Sequence, residues 1–314
     1  MKQLLKPLDY VFVLRPFFMY AVWALFLAGF YSQSKFSQNN PNEATNHSLF
    51  TNVDNILLVG IFLTCLMGAV FILNQIMDRD KKVTALPRLI ATGFLTPKSA
   101  FIEAIVLVTP ALIFGFYFSI WIGVLFLVIL LFMGIFYNFA PFKWKDKPIV
   151  ALLMSFLSSF LIFSIGWMLR GQFSINLAIQ AIPYAFLIAA TYLLFSSTES
   201  GEEASEQTTF AAKFGLQRTL VIALIFEIIA LVSAFLLKEE LAFYPALFSL
   251  AVFIWVLIKS NRTEIVRAVK YPVFLLAAAV CIKWLITHQG YNFFFFLVGV
   301  YLVSKLYYNF RFES

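Results

Sequence analysis

Apolar residues run along this chain in long unbroken stretches, without the three-to-four spacing of a half-buried helix or the alternation of a strand. Segments of 16 or more mostly apolar residues fall at about 10–31, 53–77, 99–118, 119–137, 148–169, 174–197, 218–237, 242–259, 268–287 and 290–308. Each is close to the roughly 20 residues a helix needs to cross a hydrocarbon core about 30 Å thick. The pattern predicts an all-α, polytopic transmembrane helix bundle of nine or ten spans. A transmembrane β-barrel would need shorter, alternating segments. Ser119 is the only polar residue near the third boundary, and the last two segments are divided mainly by Thr287 to Gly290. The first segment holds Arg15-Pro16 and no small-residue cleavage site, so it reads as a retained helix rather than a signal peptide.

Composition removes the soluble alternative. Hydrophobic residues make up 62% of the 314 and charged residues 12%, against about 45–50% and about 25% in a globular domain. Surface-to-volume scaling gives a soluble fold no way to hide that much apolar area. The 39 Phe exclude a disordered chain. Cys65 and Cys281 lie inside apolar runs and form no disulfide framework, and His47 and His288 are isolated, so neither type suggests a metal site.

The net charge of +7 would suit a nucleic-acid partner, but its placement says otherwise. With the N-terminus inside, 18 of the 23 basic residues fall on the inner face and three, Lys35, Arg170 and Lys238, on the outer; Arg15 and Lys283 lie within spans. That asymmetry is the positive-inside pattern and puts both termini in the cytoplasm. The charge reports topology, and no nucleic acid is needed to explain it.

Chemistry in such a protein should show as polar groups at span ends. The second span ends in Asn74-Gln75-Ile76-Met77-Asp78-Arg79-Asp80-Lys81-Lys82, followed by Pro87-Arg88-Leu89-Ile90-Ala91-Thr92-Gly93-Phe94-Leu95-Thr96. Asn74, Asp78 and Lys82 share one helix face. An amide oxygen and a carboxylate one turn apart can contact the same hard cation, and Mg²⁺ takes one or two carboxylates plus substrate phosphates. The same spacing also fits a helix that frays into a charged loop. After the sixth span, Thr198-Glu199-Ser200-Gly201-Glu202 begins a stretch with four Glu in eight residues, unusual for an inner loop. A polar span end, an acid and a Gly 13 to 15 residues later thus occur twice, Asp78 to Gly93 and Glu202 to Gly215. This suggests two related half-bundles, 10–137 and 148–260, with C-terminal spans in 261–314, within a single transmembrane domain 1–314. Between the fourth and fifth spans, Tyr137-Asn138 leads into Lys143-Trp144-Lys145, whose lysines could neutralise a pyrophosphate as point charges or serve only as a basic turn.

These residues resemble the UbiA superfamily of intramembrane prenyltransferases. The family's first motif, Asn-Asp-x-x-Asp-x-x-x-Asp and then Arg-Pro-Leu/Ile-x-x-Gly-x-Leu/Ile-Ser/Thr, is matched in order by Asn74, Asp78, Arg88, Ile90, Gly93, Leu95 and Thr96. Its Tyr-Ser-x-Pro-Pro-x-x-x-Lys element resembles Tyr137 to Lys145, its second acidic motif Thr198 to Gly215, and its early Arg-Pro matches Arg15-Pro16. The departures are Gln75 at the second motif position, Lys82 at its last acid, and Thr198 at the leading acid of the second motif, with Glu202 at that motif's final acid. Asp80 takes the missing role only if the helix ends early.

The resemblance implies a nine-span fold, Mg²⁺ as cofactor, and an isoprenyl diphosphate and a lipophilic or aromatic acceptor as substrates. It implies Asn74, Asp78 and Glu202 as catalytic metal ligands. Arg88, Lys143, Lys145, Arg79 and Lys82 would contact the diphosphate, and Tyr137, Asn138, Arg15 and Thr198 would line the acceptor or prenyl tunnel. The expected location is a bacterial inner membrane, with the site facing the cytoplasm. Two alternatives stay open: a terpene cyclase or catalytically altered relative on the same fold, and a small-molecule transporter using the mid-span charges Glu227, Lys283 and Arg15.

Overall fold

The computed structural model describes residues 5–39, 53–80, 89–198, 209–288 and 291–312. Among them every regular element is helical. The chain begins with α1 (Lys6–Phe12), α2 (Pro16–Asn39), α3 (Val53–Met77), α4 (Pro97–Phe118) and α5 (Ile120–Ile129), which continues as a π-helix over Leu130–Phe136. A 3-10 turn, Trp144–Asp146, leads to α6 (Pro148–Met168), α7 (Ile175–Thr198), the short α8 (Phe210–Phe214), α9 (Leu216–Leu236) and α10 (Glu240–Lys259). The last three are α11 (Arg262–Ala268), α12 (Tyr271–His288) and α13 (Asn292–Phe312).

Nine helical stretches among the described residues are long and apolar enough to cross a membrane. The tenth apolar segment, Ile120–Phe136, is shorter, at the bottom of the range a bilayer accepts. The last two segments are separate helices. Ser119, in extended backbone (φ −165°, ψ 138°), is the hinge between α4 and α5.

The chain divides into two compact units, one of residues 1–22, 57–142 and 281–314, the other of 23–56 and 143–280. The first seven residues of α2, 16–22, group with the first unit and the rest of the helix with the second. In the first unit, Phe62 of α3 stacks on Phe114 of α4 at 4.4 Å. Near the other end, Ala69, Leu73, Ala100 and Ala104 share a core with Phe12, Leu89, Leu95 and Tyr307. These pairings make α3 and α4 antiparallel. Gly115 meets Gly123 and Phe126 where the chain turns back, so α5 runs parallel to α3. The second unit is centred on Ala189, Leu193, Leu220, Ala223, Phe253 and Val256 of α7, α9 and α10.

Helices in lipid gain little from apolar burial and associate through close packing at small residues. In the second unit α2 and α6 do this reciprocally. A Cβ on Gly29 would stand 2.0 Å from the Phe163 carbonyl oxygen, and one on Gly166 would stand 1.8 Å from that of Phe26. Gly166→Ala is expected to lower the melting temperature in detergent, at a cost of about 1–3 kcal/mol. Gly299→Ala, where a Cβ meets nothing within 4 Å, should be neutral or mildly stabilising. Equal melting of the two variants would contradict the contact.

Beyond the predicted end of the first span, α2 continues through Ser32–Asn39, because a buried polar cluster receives it. Glu239, 2% exposed, accepts hydrogen bonds from Ser32 Oγ (2.6 Å), Tyr184 OH (3.0 Å) and Lys35 Nζ (3.0 Å). Nearby, Arg170 stacks over Phe30 at 4.3 Å and donates to Ser34 Oγ at 2.9 Å; burial pulls its guanidinium below the ordinary arginine range.

Candidate active site

In the first unit the chemistry gathers at the end of α3. The helix stops at Met77, yet Asp78 N still donates to Asn74 O at 3.0 Å. Asn74 and Asp78 therefore lie one turn apart on one face, as their spacing predicts. Asp78 is only 8% exposed. Asn74 Oδ1 is buried with no hydrogen-bond partner among the described residues. A buried acceptor without a donor costs about 1–3 kcal/mol, and beside a carboxylate it is the environment a hard cation satisfies. The residues present fit a Mg²⁺ ion on this count. Among the described residues no three His, Cys, Asp or Glu cluster around a common point, so any ion here relies on amide oxygens and phosphates as well.

Gln75, at the position where the family pattern has an acid, does something else. Its Nε2 donates to Val13 O at 2.7 Å. That carbonyl is freed because the chain breaks between α1 and α2: a residue before proline is disfavoured in helical backbone, and Arg15 takes φ +53° ahead of Pro16. Arg15 lies 5.4 Å from the Phe18 ring centroid. The Arg-Pro pair is thus a helix break held by Gln75. Arg79 and Asp80 are turned outward and pair with each other at 3.4 Å; Asp80, with its side chain 87% exposed, does not take the role of the missing acid.

Downstream, Leu89, Ile90 and Leu95 anchor the loop in the core. Gly93 at φ +77° turns the chain, with Phe94 N donating to Leu89 O at 3.0 Å. Thr96 caps α4 by accepting from Ser99 N at 3.1 Å. The Gly and Thr of the motif are therefore backbone devices that fix where the loop re-enters the bundle. Tyr137 is half-buried and Asn138 fully buried just beyond the π-helix.

In the second unit, exposed Lys143 (φ +39°) begins the 3-10 turn, with half-buried Lys145 inside it. Thr198 closes α7; its hydroxyl donates to Phe195 O at 2.7 Å, and its carbonyl accepts from Arg262 Nε at 3.0 Å. Thr209 caps α8 by accepting from Ala212 N at 3.2 Å. Gly215 opens α9 at φ 88°, ψ 147°, a region almost reserved for glycine. Both units therefore use a capping Thr and a positive-φ Gly after their polar span ends. Lys82, Arg88 and Glu202 lie outside the described residues.

Three acids escaped the sequence reading or changed meaning. Asp9 is fully buried and pairs with Arg311 at 2.6 Å; nothing local signals a partner at the far end of the chain. Glu103 of α4 has a buried Oε2 without a partner among the described residues, and a lone acid in an apolar run was its only signal. Glu227 is fully buried and hydrogen-bonded by Ser249 Oγ, while Lys283 is exposed.

Fold and helix ends define the class: an α-helical integral membrane protein with a buried amide oxygen and carboxylate at the end of one span. Within that class, the profile of the UbiA prenyltransferase family matches residues 43–269, and the chain belongs to that family. No curated protein matches it. A UbiA homologue from Archaeoglobus fulgidus bound to DMAPP and Mg²⁺ is similar in structure, with TM-score 0.63 and 16% identity, covering 87% of this chain and 99% of that one. The apo UbiA homologue from Aeropyrum pernix K1 gives TM-score 0.61 and 11% identity over 84% of this chain and 97% of that one. A digeranylgeranylglyceryl phosphate synthase gives 0.60 and 14% over 88% and 97%. At such identities the likeness is one of fold.

Proposed function

We propose that this chain is a membrane-embedded prenyltransferase that moves an isoprenyl group from an isoprenyl diphosphate to a lipophilic or aromatic acceptor. The observation that carries the reading is the buried pair of acceptor oxygens, Asn74 Oδ1 and the Asp78 carboxylate, one turn apart at the end of α3 in a UbiA-family chain. Support comes also from the A. fulgidus homologue, solved with DMAPP and Mg²⁺.

Asn74 and Asp78 would hold the cation, with Glu202 as its acid from the second motif. Mg²⁺, when bound there, supplies Lewis-acid neutralisation of the diphosphate. Arg88, Lys143 and Lys145, with Arg79 and Lys82 behind them, add cationic contacts to the leaving group. The allylic C–O bond breaks with its electron pair leaving on the diphosphate; the acceptor's electron pair forms the new bond to carbon, and the acceptor loses a proton. Apolar helix walls exclude water, which strengthens each charge contact and protects the allylic cation from hydrolysis. Tyr137 and Arg15 are the candidates to face the acceptor or the prenyl chain. The Thr198 hydroxyl, donating to its own helix, is left as an acceptor only.

The transporter alternative would use mid-span charges, whereas the buried oxygens of Asn74 and Asp78 lie at the end of a span. The cyclase alternative is separated by product analysis. Incubation of the purified protein with geranyl diphosphate, Mg²⁺ and a membrane lipid extract is expected to give a prenylated acceptor by mass spectrometry. A cyclised hydrocarbon with no prenylated acceptor would reject the transferase reading.

A further inference from the structure

Asn138 stands at the end of the π-helix, 0% exposed. Its Nδ2 donates to Met133 O at 3.1 Å and Gly134 O at 3.0 Å, carbonyls of the π-helical stretch. Two carbonyl acceptors on one side fix the amide's orientation, since only the NH₂ can donate. The oxygen must therefore point away from them. Asn138 Oδ1 is buried and finds no donor among the described residues.

The level at which that oxygen lies follows from the packing of the first unit. The π-helix prolongs α5, which runs parallel to α3. A Cβ on Gly134 would stand 3.5 Å from Leu73 and 3.6 Å from Val70. One turn further along each helix, Gly134 leads to Asn138, and Val70 leads to Asn74 and then Asp78. Phe139, the next residue, packs into the core that holds Leu73 and Ile76, which keeps the two chain ends together. Asn74 Oδ1 and Asn138 Oδ1 are thus two orphaned amide oxygens at one end of one unit, alongside the buried Asp78 carboxylate. All three groups are acceptors, and a carboxylate with two amide oxygens is the kind of oxygen set that a hard cation takes.

We infer that Asn138 Oδ1 is a third oxygen ligand, with Asn74 and Asp78, for a hard divalent cation of the Mg²⁺ class. The inference rests on the proposed cation role of Asn74 and Asp78. It gives a physical answer to one departure from the family pattern. With Lys82 in place of the motif's last acid, the first motif is short of a ligand, and a neutral amide oxygen from just beyond the π-helix supplies one.

The test uses Mn²⁺ alone as probe, followed by electron paramagnetic resonance of the purified full-length protein in detergent, with Mg²⁺ as competitor. Wild type should bind Mn²⁺ in a Mg²⁺-displaceable way. Asn138→Leu, close in shape but without the oxygen, should weaken binding about tenfold or more, within the about 10–100-fold lost when groups that support a metal site are removed. Asn138→Asp keeps an oxygen but loses the NH₂, and should bind at least as tightly as wild type; this variant also carries the test if the leucine protein fails to fold. Wild-type affinity in Asn138→Leu, or weakened binding in both variants, would overturn the inference. If Asp78→Ala abolishes Mn²⁺ binding while Asn138→Leu does not, only the Asn138 assignment fails. If wild type binds no Mn²⁺, or Asp78→Ala binds it unchanged, the underlying cation reading fails as well.

Discussion

Asp78→Ala is expected to lower Mg²⁺-dependent release of diphosphate from an isoprenyl diphosphate by about 10²-fold or more. The magnitude follows from what the side chain offers: a buried carboxylate, 8% exposed, one helical turn from an amide oxygen with no partner among the described residues. Removing one preorganised group that stabilises developing charge in a water-poor site costs about 10²–10³ in rate. Asn74 cannot compensate, because its oxygen carries no formal charge. Asp78→Asn keeps the shape and removes only the charge, so it should lose nearly as much. Single-turnover release of pyrophosphate at saturating substrate checks this, and full activity in Asp78→Ala would remove Asp78 from the site. Thermal unfolding of both variants, run alongside, separates lost chemistry from lost fold.

The largest stability effect should come from Asp9. It is 0% exposed and its Oδ2 lies 2.6 Å from Arg311 Nη2, itself in a residue 5% exposed. Tyr307 OH donates to the other carboxylate oxygen. Around the pair, Phe12 stacks on Tyr307 at 3.8 Å and the Arg311 guanidinium sits 3.9 Å over the Phe94 ring. Asp9→Ala leaves a guanidinium buried without its counter-ion, a change worth about 3–5 kcal/mol. Replacing both partners, Asp9→Ala with Arg311→Met, should recover much of the loss, because a buried pair is offset by its own desolvation. Thermal unfolding in detergent, followed by tryptophan fluorescence, gives both numbers. Because Arg311 and Phe312 pack on Phe94, just after Gly93 in the first motif, the single variant should also loosen that loop. A double variant less stable than Asp9→Ala would contradict the ion-pair account.

The spans were legible in the sequence because lipid imposes one simple demand, a long apolar run with its backbone satisfied internally. Ser119 marked a real break for the same reason, whereas the break at Arg15-Pro16 falls inside the predicted first segment. The run of α2 to Asn39 was not legible, since Ser32 and Lys35 stay helical only because Glu239, about 200 residues later, receives them. The close crossing at Gly29 and Gly166 was equally hidden, as neither glycine reveals its partner. At the site, the Asn74–Asp78 spacing was readable because helical periodicity is local. What Gln75 does was not, because it depends on a carbonyl freed at Val13. The π-helix before Asn138 carries no recognisable pattern, and the Asp9–Arg311 pair joins residues from opposite ends of the chain. Local periodicity survives in sequence; long-range hydrogen-bond partners do not.

The most direct measurement is pyrophosphate release from an isoprenyl diphosphate by the purified wild-type chain, with Mg²⁺, with EDTA, and with EDTA followed by excess Mg²⁺. The account predicts release with Mg²⁺, none above background in EDTA, and recovery when Mg²⁺ is restored. Equal release in EDTA, or no release at any prenyl length with Mg²⁺ present, would contradict it.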